Sequence, residues 1–389
     1  MSANWLMRRM IETASYLQKA GGPPLRRIRN ADGNFVQSLE TVQTAGNTLY
    51  RRELQKHFPP ASVDCKGEWP ERKIYHIRQA RVSGLCGSIF LPDNTLFSAC
   101  PWIDKLVDKR VRRPSRLFRK HIDRPILHLM GRNHENHGHF LFEYLPRVLA
   151  AEPWLKNHPE WRIGVCGKHA RWQRRYLELI GYNSERVFEF WQGTTCVKDL
   201  FFVPLLSGRS SLPDPTLLQA TIDRLQKAAS KLVPSISNPP DNEQVAFISR
   251  SDAPNKRLLN EADLIRAARN LFPKVKVNVL SGHSLEEQLK TMAQSALIIG
   301  PQGMGLSNMA FVRDRTLICL EAGNPPDEMA WEAAYCMIAE LGGNKSLTLY
   351  GGQDRIPPHR NWIYPVERFE REMRRLTNLL GKGLYNTTA

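Results

Sequence analysis

With 389 residues, 42% of them hydrophobic, the chain can build more than one packed core, and its composition excludes collagen-like and disordered classes. A formal net charge of +17 favours acidic partners: nucleic acid, anionic lipid or phosphorylated small molecules. Seven scattered cysteines without a CxxC pair argue against a zinc ribbon or a disulfide framework and suit a reducing compartment.

In chain order, the opening stretch MSANWLMRRMIETASYLQKAGG lacks the apolar core and cleavage site of a signal peptide. The helical spacing of Trp5, Leu6, Met10, Ala14 and Leu17 predicts a short amphipathic helix docked on its own protein. No apolar run approaches the roughly 18 residues needed to span a bilayer. The first 120 residues are irregular, with turns at Pro23-Pro24, Pro59-Pro60 and Asp93-Asn94 and a strand-like run, KIYHIRQARV, over 73–82. Segment 105–124 holds nine Lys or Arg against two Asp. It fits a solvated face or attraction to an anionic membrane surface, at about 1 kcal/mol per basic residue. No nucleic-acid module accompanies it. The expectation is a cytoplasmic protein, peripheral at the inner face of the plasma membrane, with no nucleic-acid partner.

From 125 the texture becomes regular. RPILHLM reads as a strand, GHFLFEYLPRVLAAEPWL as a helix, WRIGVCG as a strand, HARWQRRYLELIG as a helix, and RVFEF and CVKDLFFVPLL as strands. LVPSISNPPDNEQ, 232–244, reads as a linker. Alternation then resumes with strand VAFISR (245–250), helix NEADLIRAARNLF (260–272), strand VKVNVL (275–280) and helix SLEEQLKTMAQ. Ser284 and Glu287 match a capping box at the start of that last helix. Strand ALIIG (296–300), a helix from about 303, strand TLICLE (316–321), helix DEMAWEAAYCMIAELGG and a last helix, PVERFEREMRRLTNLLGKG, complete the chain. Short apolar strands separated by helices predict parallel sheets covered on both faces. The expected architecture is α/β: two Rossmann-like domains facing each other across a cleft. Their spans are 1–235 and 244–350, with a tail, 351–389, free to cross back onto the first domain.

Ligands of open α/β sheets sit beyond the carboxyl ends of the strands, where helix N-termini offer unpaired N–H groups. GPQGMGLSN, 300–308, occupies such a position: Gly300 can turn the chain, and Gly303 and Gly305 remove Cβ atoms from a ligand's approach. No Gly-Lys-Ser/Thr follows, and Asn308 stands where a dinucleotide fingerprint has its third Gly. Arg250 and Arg257 follow the VAFISR strand, with Asn260-Glu261 at the next helix start, and guanidinium forks suit phosphate. Glu321 ends another strand at the same edge, where a carboxylate can accept hydrogen bonds from ribose hydroxyls.

Taken together, these motifs resemble those of glycosyltransferase family 61, which includes bacterial capsular polysaccharide biosynthesis proteins. In the first domain the resemblance rests on NHGHFLFEYLPR, Asn136 to Arg147, with Glu143 where the family usually has Asp. In the second it rests on Ser249-Arg250, Arg257, Asn260-Glu261, GPQGMGLSN and Glu321. Two departures stand out: Gln302 replaces the family's His, and Met304 its usual Ala. Gln can donate a neutral hydrogen bond to phosphate but carries neither proton nor charge. The resemblance implies a GT-B-like, inverting enzyme of surface polysaccharide synthesis that needs neither metal nor cofactor. Its nucleotide-sugar donor would contact Arg250, Arg257, Asn260, Glu261, Gln302, Gly303, Met304, Gly305, Leu306, Asn308 and Glu321. A saccharide or lipid-linked saccharide acceptor would meet Asn136, His137 and Arg147.

Inverting transfer needs a general base for the acceptor hydroxyl. On a helix His139, Glu143 and Arg147 share a face, so Glu143 is the first candidate and His139 the second. The same spacing fits an ordinary Glu143–Arg147 ion pair with His139 packed beside it. Pro146 would cost an ordinary helix interior about 3 kcal/mol, which calls for a kink or a shorter helix. HENH spaces its histidines by three, so a zincin motif fails, though His134, His137 and His139 on a loop still admit zinc. The alternative function is a non-catalytic nucleotide- or polyanion-binding scaffold with a degenerate transferase fold, motivated by Gln302 and the large positive charge. A methyltransferase or dehydrogenase fits less well, because the glycines come late in the second domain.

Overall fold

The structure, a computed structural model, describes residues 35–43, 46–50, 65–69, 71–97, 119–131, 133–206, 214–323, 332–352 and 359–380, together with 27, 28, 54, 58 and 114. The expected N-terminal amphipathic helix, most of the basic segment 105–124 and the start of the helix expected from 327 lie outside the described residues. Of the basic segment, Arg119–Ile122 forms a short strand paired in parallel with residues 194–197. The chain divides into two compact units, Met1–Gly46 with Trp69–Ser207, and Asn47–Glu68 with Gly208–Ala389.

Among the described residues the first unit is built on a ten-stranded mixed sheet. Its centre comprises β1 (Arg72–Ser83), β2 (Ile126–His128), β3 (Arg162–Cys166), β4 (Val187–Phe190) and β5 (Thr194–Phe202), in the spatial order β1-β5-β2-β3-β4. Strands β2 to β5 are mutually parallel, whereas β5 runs antiparallel to β1. The first 120 residues therefore add antiparallel strands to a Rossmann-like half, where the sequence suggested a parallel sheet alone. Tight turns make this possible: Gly84, Gly87 and Asn94 all take positive φ, which lets neighbours reverse without a crossover helix. Ile77, Val82, Ile126, Val197 and Leu200 form the core. A helical stretch over 137–150, ending in α1 (Leu145–Ala150), connects β2 to β3, and α2 (Ala170–Leu179) connects β3 to β4.

The second unit follows the expected alternation. Helix α3 (Pro215–Leu232) is followed by β6 (Asp241–Ser249), α4 (Glu261–Leu271), β7 (Lys274–Val279), α5 (Leu285–Gln294) and β8 (Ser295–Pro301). A 3-10 helix (Met304–Phe311), β9 (Thr316–Ala322), α6 (Glu332–Leu341), β10 (Lys345–Gly352) and α7 (Val366–Leu379) follow, and a separate two-stranded sheet, Gly46–Tyr50 with Cys65–Trp69, lies largely in the same unit. All five strands are parallel, in the order β7-β6-β8-β9-β10. Strands β8, β9 and β10 and the second half of β6 are largely buried, with Phe247, Ile299, Ile318 and Leu347 at the centre, whereas the edge strand β7 is exposed or half-buried throughout. The capping box forms: Ser284 N–H donates to Glu287 at 2.7 Å, and Glu287 N–H donates to the Ser284 hydroxyl at 3.2 Å.

Two boundaries differ from the sequence expectation. Helix α3 belongs to the second unit, because the Gln226 side-chain amide donates to the carbonyls of Val312 and Gly342. The proline-rich 232–244 is accordingly no domain boundary but contains a 3-10 turn and the first residues of β6. Helix α7 packs on α4 inside the second unit through Phe369, Met373 and Leu376. Burying each of these is worth roughly 1.5–3 kcal/mol, which fixes the helix there.

Candidate active site

In the first unit the chemistry begins where β2 ends. Asn136 caps the helical stretch, its Oδ1 accepting from the His139 N–H at 3.2 Å. An α-turn, His137–His139, passes into a π turn, Phe140–Tyr144, and then into α1. Pro146 accounts for the change, since it has no N–H and its ring crowds a carbonyl one turn back. Widening the preceding turn, with the Leu145 N–H donating to Phe140 O, starts a fresh helix with Pro146 in its first turn. The single helix expected from sequence is thus four short segments, the last being Glu152–Asn157, with a π turn of the kind found at functional sites.

This geometry joins His139 and Glu143. Glu143 is buried, and His139 Nδ1 lies 3.0 Å from its Oε2. A carboxylate oxygen only accepts, so Nδ1 carries a proton, and in the neutral ring Nε2 is then the acceptor nitrogen. The Asn133 side-chain amide stands 3.4 Å from Nε2. Asn133 has φ 59°, a left-handed conformation that Asn adopts more readily than most residues; sequence reading passed it over, and that tolerance is the signal that marks it. The arrangement is a carboxylate orienting an imidazole whose other nitrogen faces the Asn133 amide.

Arg147 does not pair with Glu143. It is almost fully buried, donating from Nε to Val203 O at 2.6 Å and from Nη2 to His128 O at 3.0 Å. Its guanidinium lies 5.1 Å from the ring centroids of both Tyr144 and Phe202. Strands β3 and β4 build outward from β2, and β5 returns to the other side of β2. The topological switch point therefore lies between β2 and β5, and Arg147 fills it.

The histidines near this site face different partners. His134 Nδ1 donates to Gly131 O at 2.6 Å. His137 stacks on Trp172 at 4.0 Å, and burial, with His169 beside it, holds its pKa below the ordinary value. Among the described residues no group of three or more His, Cys, Asp or Glu is arranged to hold a metal ion. His128, at the end of β2, is driven down to about 3 by burial and then by the Arg147 charge, against a weaker opposing effect of the Gly87 backbone.

In the second unit the switch point lies between β6 and β8, bordered by Ser249-Arg250 and by Pro301-Gln302-Gly303. Glu261 is buried at the start of α4, and its carboxylate accepts from the Arg250 N–H at 3.3 Å. Burial raises the Glu261 pKa, while hydrogen bonds from Ser249 and Arg250 and the charges of Arg257 and Arg250 pull it back. The half-buried Arg250 guanidinium donates to Asn255 O at 3.3 Å and lies over Gly303. A Cβ on Gly303 would come within 2.9 Å of the Arg250 Cδ and Cζ. Gly305 and Gly300 make room for the protein itself: added Cβ atoms would lie 2.9 Å from Ile248 Cγ2 and Ile248 O respectively. The space that sequence reading reserved for a ligand at Gly303 and Gly305 is taken by Arg250, Ile248 and Leu280.

The remaining residues divide by exposure. Arg257 and Met304 are exposed, and Gln302 is half-buried with its N–H donating to Leu320 O at 3.0 Å. The Asn260 side chain is tied to the backbone of Tyr364 by two hydrogen bonds, at 2.7 and 3.1 Å. Leu306 is in the core, and Asn308 donates to Gln288 Oε1 at 2.9 Å. Glu321 is buried at the end of β9, with Oε1 accepting from the Ala322 N–H at 2.9 Å.

The span 137–319 matches the family described as Glycosyltransferase 61. A glycosyltransferase 61 domain is thus detected over part of the chain, and it takes in His139, Glu143, Arg250 and the glycine loop. No curated protein matches the chain. Among solved structures, the rubredoxin oxygen:oxidoreductase of Desulfovibrio gigas is 10% identical over 64% of this chain and 52% of that one, about half its length. Its TM-score of 0.25 carries nothing about fold or function. Among the described residues no helix is long and apolar enough to cross a membrane.

Proposed function

We propose that the protein is an inverting glycosyltransferase with a GT-B-like arrangement, moving a sugar from a nucleotide-activated donor to a saccharide or lipid-linked saccharide acceptor in surface polysaccharide synthesis. The observation that carries this is the Asn133–His139–Glu143 array beside the end of β2, within a glycosyltransferase 61 domain. His139 Nε2 takes the proton of the acceptor hydroxyl, and Glu143 acts through it by holding the tautomer and stabilising the imidazolium. The hydroxyl oxygen forms its bond to the anomeric carbon as the bond to the nucleoside diphosphate breaks on the opposite face. Arg250 and Arg257 meet the departing charge, with Gln302 a neutral contact and Glu321 facing the ribose. Asn260, Glu261, Leu306 and Asn308 shape the donor site by holding its loops. Asn136 fixes the helix start beside the acceptor, where His137 lines the approach, and the basic segment 105–124 draws the enzyme to an anionic surface.

Gln302 and the net charge sustain a second reading, a non-catalytic scaffold that binds polyanions. Thermal melting with a panel of nucleotide sugars separates the two. Stabilisation by one nucleotide diphosphate class, with turnover lost in Glu143→Ala/Arg250→Ala, supports the transferase. Stabilisation by heparin or DNA alone supports the scaffold.

A further inference from the structure

Trp191 follows the carboxyl end of β4 at the same edge of the first sheet as the His139 array. It is one of few large apolar residues the described chain leaves exposed, at 47%. A lone exposed tryptophan is ordinary, but this one is seated. Its indole lies on Gly167, just past the end of β3, where an added Cβ would come 2.5 Å from both Cδ2 and Cε2 of the ring. The Gly167 N–H donates to Phe190 O at 2.7 Å, locking the two strand ends together beneath the ring. Gly167 has no positive φ, so its backbone does not require glycine. The ring does. Gly193, with φ 120°, lies between Trp191 and the start of β5.

We infer that Trp191, seated on Gly167, is a stacking platform for a sugar ring of the acceptor. An indole face carries partial negative charge, and the axial C–H groups of a pyranose carry partial positive charge, so the two meet face to face. The position suits an acceptor. Trp191 is two strand spacings from the end of β2, about 10 Å along the sheet edge, which one or two sugar rings bridge. Between the two lie the half-buried His169 and the exposed Lys168, polar groups able to meet hydroxyls. A saccharide stacked on Trp191 thus extends toward His139 Nε2 with its next hydroxyl. This deepens the transferase reading and rests on it only for the identity of the ligand as acceptor.

Calorimetric titration of the full chain with cellohexaose, maltohexaose and chitohexaose tests the platform. Donor hydrolysis without acceptor and thermal melting are measured alongside. At least one oligosaccharide binds the wild type. Trp191→Ala weakens that binding about tenfold, Gly167→Ala does so similarly by displacing the ring, and Trp191→Phe retains most of it. All three keep the wild-type rate of donor hydrolysis. The inference is overturned if none of the three saccharides binds, or if Trp191→Ala, folded as judged by melting, binds as well as the wild type. Trp191-dependent binding without any donor turnover would uphold the platform while removing the transferase reading. Donor turnover with Trp191-independent binding would do the reverse. If Gly167→Ala fails to fold, the contrast of Trp191→Ala with Trp191→Phe decides.

Discussion

In the first unit the crevice between the ends of β2 and β5 is closed by Arg147, whereas in the second the crevice between β6 and β8 is bordered by a half-buried Arg250. Both arginines stand at the place where strand order reverses, yet their surroundings give them different work. Arg147 spends its donors on two main-chain carbonyls and lies against two aromatic rings, so it holds strand ends together. Arg250 is braced from behind, by Glu261 on its backbone and Gly303 beneath its guanidinium. Residue type and topological position are thus insufficient to mark a ligand site. Burial and partners decide.

The largest expected effect that would break this comparison is on stability. Arg147→Met strips donors from the His128 and Val203 carbonyls and should cost about 2–4 kcal/mol, read from urea unfolding. Nucleotide-sugar affinity in the folded variant should stay at the wild-type value. Equal stability, or a donor defect without a stability loss, would move Arg147 to the ligand side. At the second crevice Gly303→Ala should displace the Arg250 guanidinium and raise the donor KM about tenfold, with little change in melting. In an Arg250→Ala background the same substitution should add nothing, and additive effects would show that Gly303 acts independently of Arg250.

The smallest effect concerns acid. His128 has a folded pKa of about 3 against about 6.5 unfolded. Between those values the unfolded chain binds the extra proton, so its contribution is intact above pH 6.5 and stability falls as pH drops toward 3. The slope is at most about 1.4 kcal/mol per pH unit. His128→Leu should flatten this part of the stability profile measured by urea unfolding between pH 7 and 5. Arg147→Met should flatten it partly, because the Arg147 charge contributes to the shift. A profile unchanged by both substitutions would remove the coupling at this crevice.

The second unit was legible because most of its strands are short, apolar and buried, as ALIIG and TLICLE are, and because Ser284 announces a helix start. Strand β10, KSLTLYGG, was missed: Ser346 and Thr348 interrupt its apolar residues, though both are buried. In the first unit the strand over 73–82 and the turn at Asp93-Asn94 were legible, but the antiparallel pairing also depends on Gly84 and Gly87, which carry little pattern of their own. At the candidate site, spacing brought His139 and Glu143 to one face and so foresaw their contact. It could not show that Arg147 turns away, because that depends on the carbonyls of His128 and Val203, distant in sequence. Nor could it show that Gly167 underlies Trp191, a contact across 24 residues made by the pairing of β3 with β4.

The central claim, that Glu143 acts through His139, is tested most directly by a double-mutant cycle on the transfer rate at saturating donor. His139→Ala should lower kcat by 10²–10⁴, as loss of a general base does. Glu143→Gln should lower it less, and the double variant should be no slower than His139→Ala, since the carboxylate has no role without the imidazole. Independent losses that multiply in the double variant, or a His139→Ala enzyme with undiminished kcat, would contradict it.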